Sequence, residues 1–219
     1  MGSYSCINFC RIFCIDMTAR YLEIAAGIKR GPNWDAYRDV SDPDNGVQEY
    51  DMRQLPMQGI ADDTYDGVYS EHFIEHLHKS EGIAFLKEMH RVLKPGGTIR
   101  TVWPAREFID HLLSDQPLTK DQEDFCKVYY PHYVVRHGFC PQEYRDQSMR
   151  VQCAQGLLSQ KGEHLYVWSQ AEFVQTLMEI GFTLVQSHEY QESRLTDFTG
   201  IEEPGKIRQV HSRVVEAQK

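Results

Sequence analysis

The feature that most constrains the fold is a strand, a helix and a second strand that follow one another in the first half of the chain. Tyr65 to Ser70 is short, β-favouring and flanked by polar residues, so it predicts a strand, and helical composition begins directly after it. Ser80 to Lys94 predicts a helix with one broad apolar face. Lys94-Pro95-Gly96-Gly97 ends that helix, because proline cannot continue it and glycine tolerates the exit conformation. With a strand at Thr98 to Val102, this order indicates an open α/β sheet, which binds ligands at the ends of its strands.

Three more strand candidates precede this unit. Tyr21 to Gly27 ends in small residues, which let a ligand approach the backbone N–H groups, and the breaker-rich loop Ile28 to Asn33 follows. Trp34 to Val40 predicts a second strand, and Val47 to Tyr50 a third that closes on Asp51. Each strand ends near an acid or a small-residue turn, which is the arrangement expected of a nucleoside pocket.

Composition narrows the class of protein. A chain of 219 residues with 41% apolar residues is long enough for one domain with a substantial core. The net charge of −9 argues against nucleic acid or an anionic membrane as the principal partner, and no apolar run approaches the roughly 20 residues of a transmembrane helix. Six cysteines without Cys-x-x-Cys spacing, and no convincing secretory signal, predict reduced thiols in a cytoplasmic protein.

Two residue sets raise the question of a metal, and neither predicts one. Cys6, Cys10 and Cys14 are four residues apart, but zinc sites pair their ligands differently. His72 and His76 stand one helical turn apart, where a structural role is the simpler interpretation. We therefore expect no metal. The first residues, 1–16, predict an N-terminal appendage to a single domain of residues 17–219.

Four segments occur in a characteristic order and spacing: Leu22-Glu23-Ile24-Ala25-Ala26-Gly27, Tyr50 to Pro56, Tyr65 to Ser70 with Glu75-His76-Leu77, and Phe85 to Gly97. They resemble the successive motifs of class I S-adenosylmethionine-dependent methyltransferases, and the similarity covers about residues 20–104. The likeness is nearest to short predicted methyltransferases in which Gly-x-Gly is soon followed by a Gly-Trp-like turn. The resemblance implies S-adenosylmethionine as the cofactor.

The resemblance assigns the methionine end of the cofactor to the first strand. Glu23 matches the acid that reaches the methionine amino group, and Gly27 the backbone that lines this moiety. Ala25 replaces the first glycine of the family pattern. Its methyl group would intrude only if this position needs a positive φ or a very close backbone approach. The same substitution leaves no Gly-x-Gly-x-x-Gly turn for a dinucleotide.

The adenosine end is assigned to the other strand ends. Asp39 matches the acid that accepts from the two ribose hydroxyls, and Asp51 the acid that accepts from the adenine amino group. The Met52 backbone N–H would meet the adenine ring, and Ser70 would supply a strand-end carbonyl to the methionine amino group.

Simpler structural roles remain open for these residues. Glu23 could be an ordinary strand residue, and Asp39 a turn acid. Asp51 could hydrogen-bond the backbone of its own turn, as aspartates often do. Trp34 could cover the cofactor or lie in the core.

The sequence says less about the residues that bind the methyl acceptor. Residues 105–160 leave the shared motifs and predict a helical insertion, which is where such enzymes usually form a cover over the acceptor. Its densest aromatic and polar cluster could contact substrate or pack internally: Tyr129, Tyr130, His132, Tyr133, Arg136 and His137. His72 is a candidate acceptor-side group, and His164 could face the pocket mouth or lie in a plain loop. The sequence does not identify which residue acts as the general base.

Together these observations predict an α/β domain with a doubly wound, mostly parallel, seven-stranded Rossmann-like sheet and a helical insertion. The expected function is methyl transfer from S-adenosylmethionine to a small-molecule or carbohydrate-like acceptor, with no nucleic-acid or membrane partner. One alternative is a methyltransferase-like domain that lost catalysis and serves as a binding or assembly module. Another is a nucleotide-sugar or dinucleotide enzyme on the same sheet.

Overall fold

Seven strands form one sheet in the order β3-β2-β1-β4-β5-β7-β6. The computed structural model describes residues 19–219, so the predicted appendage and Cys6, Cys10 and Cys14 lie outside the described residues. The strands are β1 (Tyr21–Ile24), β2 (Trp34–Arg38), β3 (Gln48–Glu49), β4 (Tyr65–Glu71), β5 (Leu93–Pro104), β6 (Thr183–His188) and β7 (Ser212–Gln218). Strands β1 to β5 pair in parallel, and β7 runs antiparallel to both β5 and β6. The predicted seven-stranded, mostly parallel sheet is confirmed.

Six α-helices accompany the sheet in the described part of the chain. They are α1 (Lys79–Val92), α2 (Arg106–Leu113), α3 (Lys120–Tyr129), α4 (Met149–Ser159), α5 (Gln170–Ile180) and α6 (Lys206–His211), with a π-helical turn at Tyr130–Arg136 after α3. Across residues 19–219, no helix combines the length and apolar character needed to cross a bilayer.

The segment between β4 and α1 differs from the sequence prediction. The strand continues through Glu71, and a 3-10 turn at Ile74–His76 precedes the helix, which begins only at Lys79. His72 has a φ of +50°, a left-handed conformation that interrupts any continuous helix directly after the strand. The helix also ends at Val92, earlier than predicted, because Leu93 is extended and pairs with Tyr65.

The first two crossovers of the sheet contain no α-helix. Residues 25–33 join β1 to β2, and residues 39–47 join β2 to β3 through a 3-10 turn at Pro43–Asn45. Parallel strands are usually joined by a dozen or more residues that include a helix, so these connections are short. The carboxyl ends of β1 and β2 therefore lead straight into loops that border the ligand crevice.

The two faces of the sheet are covered differently. Helices α1 and α5 pack over one face, on an apolar cluster that includes Leu22, Val68 and Phe85. On the other face Phe198, from the irregular segment 189–205, packs against Tyr21, Trp34 and Tyr69. Trp34 is thus a core residue, stacked on Tyr21 with ring centroids 4.9 Å apart, and does not line the candidate cofactor cavity described below.

A fully buried arginine also lies on the face covered by segment 189–205. Arg100 on β5 is 0% exposed, and its guanidinium donates to Glu216 at 2.7 Å and to Glu202 at 2.6 Å. Glu216 lies on the neighbouring strand, and Glu202 on the covering segment. A buried charge needs such partners, so this network holds segment 189–205 against the sheet.

The region predicted as a helical insertion contains α2, α3 and α4, which share a second apolar cluster. Phe108, Phe125 and Tyr129 contribute stacked and edge-to-face rings, and Cys153 and Leu157 of α4 close the cluster. These helices follow β5, whose carboxyl end also borders the crevice. Residues of α3, of the turn after it and of α4 line the acceptor side described below.

Candidate active site

A cavity of about 580 Å³ lies at the carboxyl ends of the parallel strands. This volume is within the range of about 300–1,000 Å³ that is typical of small-ligand pockets. Its lining comes from the loops after β1, β2, β3 and β4 and from the segment before α5: Ala25, Arg38, Asp39, Tyr50, Asp51, Met52, Arg53, His72, Phe73, His76, Leu77, Gly162, Glu163 and Leu165. We refer to it as the cofactor cavity.

Ala25 lines the cofactor cavity in a backbone conformation that favours glycine. Its φ is +60°, and the residue is exposed at the end of β1. The alanine in place of the family's glycine therefore occupies a position that does need positive φ, at a cost of about 1–2 kcal/mol for an L-residue. The chain retains the sharp turn of the family here despite the Cβ atom.

Asp39 and Asp51 both line the cofactor cavity, as does the buried Met52. Asp39 follows β2 directly and is exposed. The Asp51 carboxylate is 44% exposed and accepts from the backbone N–H of Arg53 at 3.0 Å, so the capping role left open by the sequence is present. The other oxygen accepts from Gln54 Nε2 at 3.5 Å, and each carboxylate oxygen can accept a further hydrogen bond.

The structure does not bring the other three predicted residues into this lining. Glu23 is 5% exposed, and both of its oxygens accept from Arg30, at 2.8 and 2.9 Å. Burial raises the pKa of Glu23, and the Arg30 guanidinium opposes that shift. Gly27 is exposed with space around it, and Ser70 is buried with a hydroxyl that has no hydrogen-bond partner. Glu23 and Ser70 lie within their strands, and Gly27 lies in the loop after β1.

A second pocket of about 180 Å³ adjoins the cofactor cavity and shares His72 and His76 with it. We call it the acceptor pocket. Of the predicted aromatic cluster, Tyr129 and Tyr133 line it, whereas Tyr130, His132, Arg136 and His137 do not. The remaining lining comes from several elements: Glu75, Pro104, Phe139, Leu157, Gln160, His164, Ile207, Arg208 and His211.

His72 lies where the two cavities meet, and both of its ring nitrogens have partners. Nδ1 is 3.2 Å from Glu75 Oε1, and Nε2 is 2.9 Å from Ser212 Oγ. Since a carboxylate can only accept, Nδ1 carries the proton and Nε2 accepts from the serine hydroxyl. Burial alone would raise the pKa of Glu75, but the hydrogen bond and charge of His72 reverse this, and the net shift is downward.

His164 reaches the acceptor pocket from the loop before α5. The backbone N–H groups of Leu165 and Tyr166 both donate to the carbonyl of Glu75, at 2.7 and 3.1 Å, and hold this loop on the 3-10 turn. His164 Nδ1 donates to the carbonyl of Leu157 at 2.5 Å. Burial lowers the pKa of His164, while the Glu75 carboxylate acts in the opposite direction.

Comparison with known proteins supports a methyltransferase domain. A family model described as a methyltransferase domain matches residues 3–101. The chain therefore contains a methyltransferase domain, consistent with the class I S-adenosylmethionine-dependent methyltransferases. It resembles a SAM dependent methyltransferase from Archaeoglobus fulgidus, with a TM-score of 0.52 and 14% identity over 92% of this chain and 86% of that one. It also resembles an S-adenosylmethionine dependent methyltransferase from Mesorhizobium loti, with a TM-score of 0.50 and 12% identity over 91% and 90% of the two chains.

At these identities the solved structures support the fold, while the family match and the four motifs support the methyltransferase assignment. No curated protein sequence matches significantly. The enzyme is therefore a methyltransferase, and its cofactor is S-adenosylmethionine.

The residues of the cofactor cavity fit this cofactor. Its volume suits a molecule of that size, and Asp39 and Asp51 offer acceptor oxygens from successive strand ends. Ala25, with its φ of +60°, lines the cavity at the end of β1. The exception is Glu23, whose carboxylate is already paired with Arg30.

Sequence reasoning missed several residues of the methyltransferase's acceptor pocket. Arg208 and His211 of α6 enter from the far end of the chain, and the adjacent Ser212 hydrogen-bonds to His72. Glu75 comes from the family motif, where only a structural role was expected. Burial lowers the pKa of His211 to about 3. The repeated Glu-His pairs at residues 71–72 and 75–76 were the one available signal.

Proposed function

We propose that this methyltransferase acts on a small-molecule or carbohydrate-like acceptor that bears a hydroxyl group. The observation that carries the proposal is the acceptor pocket, which adjoins the cofactor cavity and shares His72 and His76 with it. Its 180 Å³ is smaller than a typical drug-sized pocket, so it suits a small molecule or the end group of a larger one. Its polar lining of histidine, tyrosine and arginine suits hydroxyl groups.

In the proposed arrangement the chain's own residues supply binding and position. Asp39 and Asp51 accept hydrogen bonds from the ribose and adenine ends of the cofactor, and the buried Met52 packs beside them. When bound, S-adenosylmethionine supplies an activated methyl group. Holding the acceptor in line with that group provides much of the acceleration available to such a transfer.

His72 is the residue that we place on the acceptor side. Glu75 accepts from its Nδ1, so Nε2 is the basic nitrogen, and Ser212 holds the ring in place. An imidazole held in this way by a buried carboxylate is suited to accept a proton from an acceptor hydroxyl that replaces Ser212 at Nε2. The histidine stands at the junction of the two cavities, where that proton would be released.

A screen of acceptor pools tests the proposal. Purified protein is incubated with the cofactor and with separate pools of hydroxylated small molecules, monosaccharides and oligosaccharides, and in parallel with protein and nucleic-acid pools. The expected result is a product that is heavier by one methylene unit in one of these pools and is absent when cofactor is omitted. Methylation confined to protein or nucleic-acid pools would contradict the proposed acceptor class.

One observation favours the alternative of a binding module that lost catalysis. Both carboxylate oxygens of Glu23 already accept hydrogen bonds from Arg30. Calorimetry separates the two. Saturable binding of S-adenosylhomocysteine supports the enzyme, whereas no binding at millimolar concentration supports the module.

A further inference from the structure

One side-chain cluster outside the predicted cofactor residues has the composition of a metal site. Ligand atoms of Glu75, His76 and His164 lie within 4.8 Å of one another, at the edge between the acceptor pocket and the cofactor cavity. Two imidazoles and one carboxylate are a known ligand set for catalytic zinc, in which three protein ligands leave a position open. We propose that these three residues bind a divalent transition-metal ion.

The state of Glu75 supports this assignment independently. The residue is 0% exposed, and its Oε1 accepts from His72, whereas Oε2 is buried with no hydrogen-bond partner. A buried, ionised oxygen without a partner is costly, and buried charges are usually paired or bound to a metal. Among the residues the structure describes, His76 and His164 offer the nitrogen atoms that complete such a site.

The surrounding hydrogen bonds prepare the ligands. The Nδ1 of His164 donates to the carbonyl of Leu157, which leaves Nε2 with the free lone pair that a metal needs. The bond from His72 to Glu75 has the same effect on the carboxylate, since it fixes Oε1 and leaves Oε2 available. Outer partners of this kind orient the ligands in most metal sites.

The cluster must contract slightly to close around an ion. Bonds of about 2.0–2.2 Å to nitrogen and oxygen require the ligand atoms to approach more closely than their present 4.8 Å limit. His76 can make this adjustment, because it is only half-buried and no hydrogen bond from the described residues holds its ring nitrogens.

The position of the cluster indicates what the open coordination site would take. It borders the acceptor pocket, so a hydroxyl oxygen of the acceptor could bind there and have its pKa lowered by the cation. This role rests on the proposed function. The metal site itself does not, because it is defined by protein atoms alone.

Cobalt(II) titration in the absence of cofactor and acceptor tests the site. The full chain is first treated with a chelator, and Cys6, Cys10 and Cys14 are replaced by serine to remove competing thiols. The expected result is one bound Co²⁺ per chain, with a visible absorption band that Zn²⁺ abolishes by displacement.

Matched histidine variants locate the binding. His76→Asn and His164→Asn should each weaken Co²⁺ binding by more than about tenfold, since even outer partners of metal ligands are worth about 10–100-fold. His132→Asn is the control, because it removes an exposed histidine that lines neither the cofactor cavity nor the acceptor pocket. Its affinity should equal that of the parent protein. Circular dichroism checks that each variant is folded.

Two results would overturn the proposal. One is the lack of saturable binding of Co²⁺, Zn²⁺ or Mn²⁺ to the parent protein. The other is binding that His76→Asn and His164→Asn both leave unchanged. Separate calorimetry with S-adenosylhomocysteine reports on the cofactor cavity, so a failed metal site and a failed methyltransferase assignment give different results.

Discussion

The cofactor cavity and the acceptor pocket share two histidines but are formed in different ways. The predicted cofactor residues in the cavity lie at strand ends that are close together in sequence, and Asp51 is bonded only to the neighbouring Arg53 and Gln54 among the described residues. The acceptor pocket depends on contacts between distant segments. Glu75 hydrogen-bonds to the loop that follows His164, and His72 hydrogen-bonds to Ser212 near the end of the chain. Local sequence thus specifies the cavity, whereas tertiary packing specifies the pocket.

The largest effect that distinguishes the two sites is expected at Asp51. Asp51→Ala should weaken S-adenosylhomocysteine binding by about 1–3 kcal/mol, because a hydrogen bond to a charged acceptor is lost. Asp44→Ala is the matched control, since Asp44 is exposed and does not line the cavity. Calorimetry measures both. An unchanged affinity for Asp51→Ala would remove this residue from the cofactor site.

The next effect concerns the acceptor pocket and depends on pH. Burial beside Phe108 and Phe125 lowers the pKa of His211 to about 3. The nearby charges of His72 and Arg208 act in the same direction, and the Glu75 carboxylate opposes the shift only in part. As the pH falls, the unfolded chain therefore binds a proton at His211 before the folded protein does. The stability that His211 contributes is complete above about pH 6.5 and is lost as the pH falls toward 3.

Lowering the pH from 6.5 to 5 should reduce the free energy of unfolding by about 2 kcal/mol through His211. The corresponding slope is about 1.4 kcal/mol per pH unit. Denaturant unfolding at several pH values measures that slope. His211→Asn should flatten it, whatever its effect on absolute stability, and the exposed His132→Asn should not. Equal slopes for the two variants would show that His211 is not buried as described.

The smallest effect is expected at the turn after β1. Ala25→Gly should raise the free energy of unfolding by about 1 kcal/mol, because glycine adopts a φ of +60° without strain. The neighbouring Ala26 is buried without a positive φ, so Ala26→Gly should destabilise the fold instead. Thermal melts compare the two. A destabilising Ala25→Gly would mean that the Cβ atom makes a contact that outweighs the strain.

The sequence predicted the centre of the sheet well, because the signals there are local. The apolar spacing of α1, the Pro-Gly-Gly exit and the short β4 each depend on neighbouring residues. The helix expected directly after Ser70 was wrong, since the left-handed His72 is held by its backbone bond to Val102 on the adjacent strand. No local pattern reveals such a bond.

For the candidate site, position was easier to predict than orientation. Asp39, Asp51, Met52 and Ala25 line the cavity because each follows or closes a strand at the same edge of the sheet. Glu23 was placed by the same logic, but its side chain meets Arg30. Whether an acid binds a ligand or a neighbouring cation depends on that partner's position, which spacing alone does not give.

The most direct test of the account is a crystal structure of the protein with S-adenosylhomocysteine. We expect one bound molecule in the cofactor cavity. Its ribose hydroxyls should bind Asp39, its adenine should lie beside Asp51 and Met52, and its sulfur should be directed toward His72. A ligand bound elsewhere, or a cavity that stays closed to it at saturating concentration, would contradict the claim that these strand ends form the cofactor site.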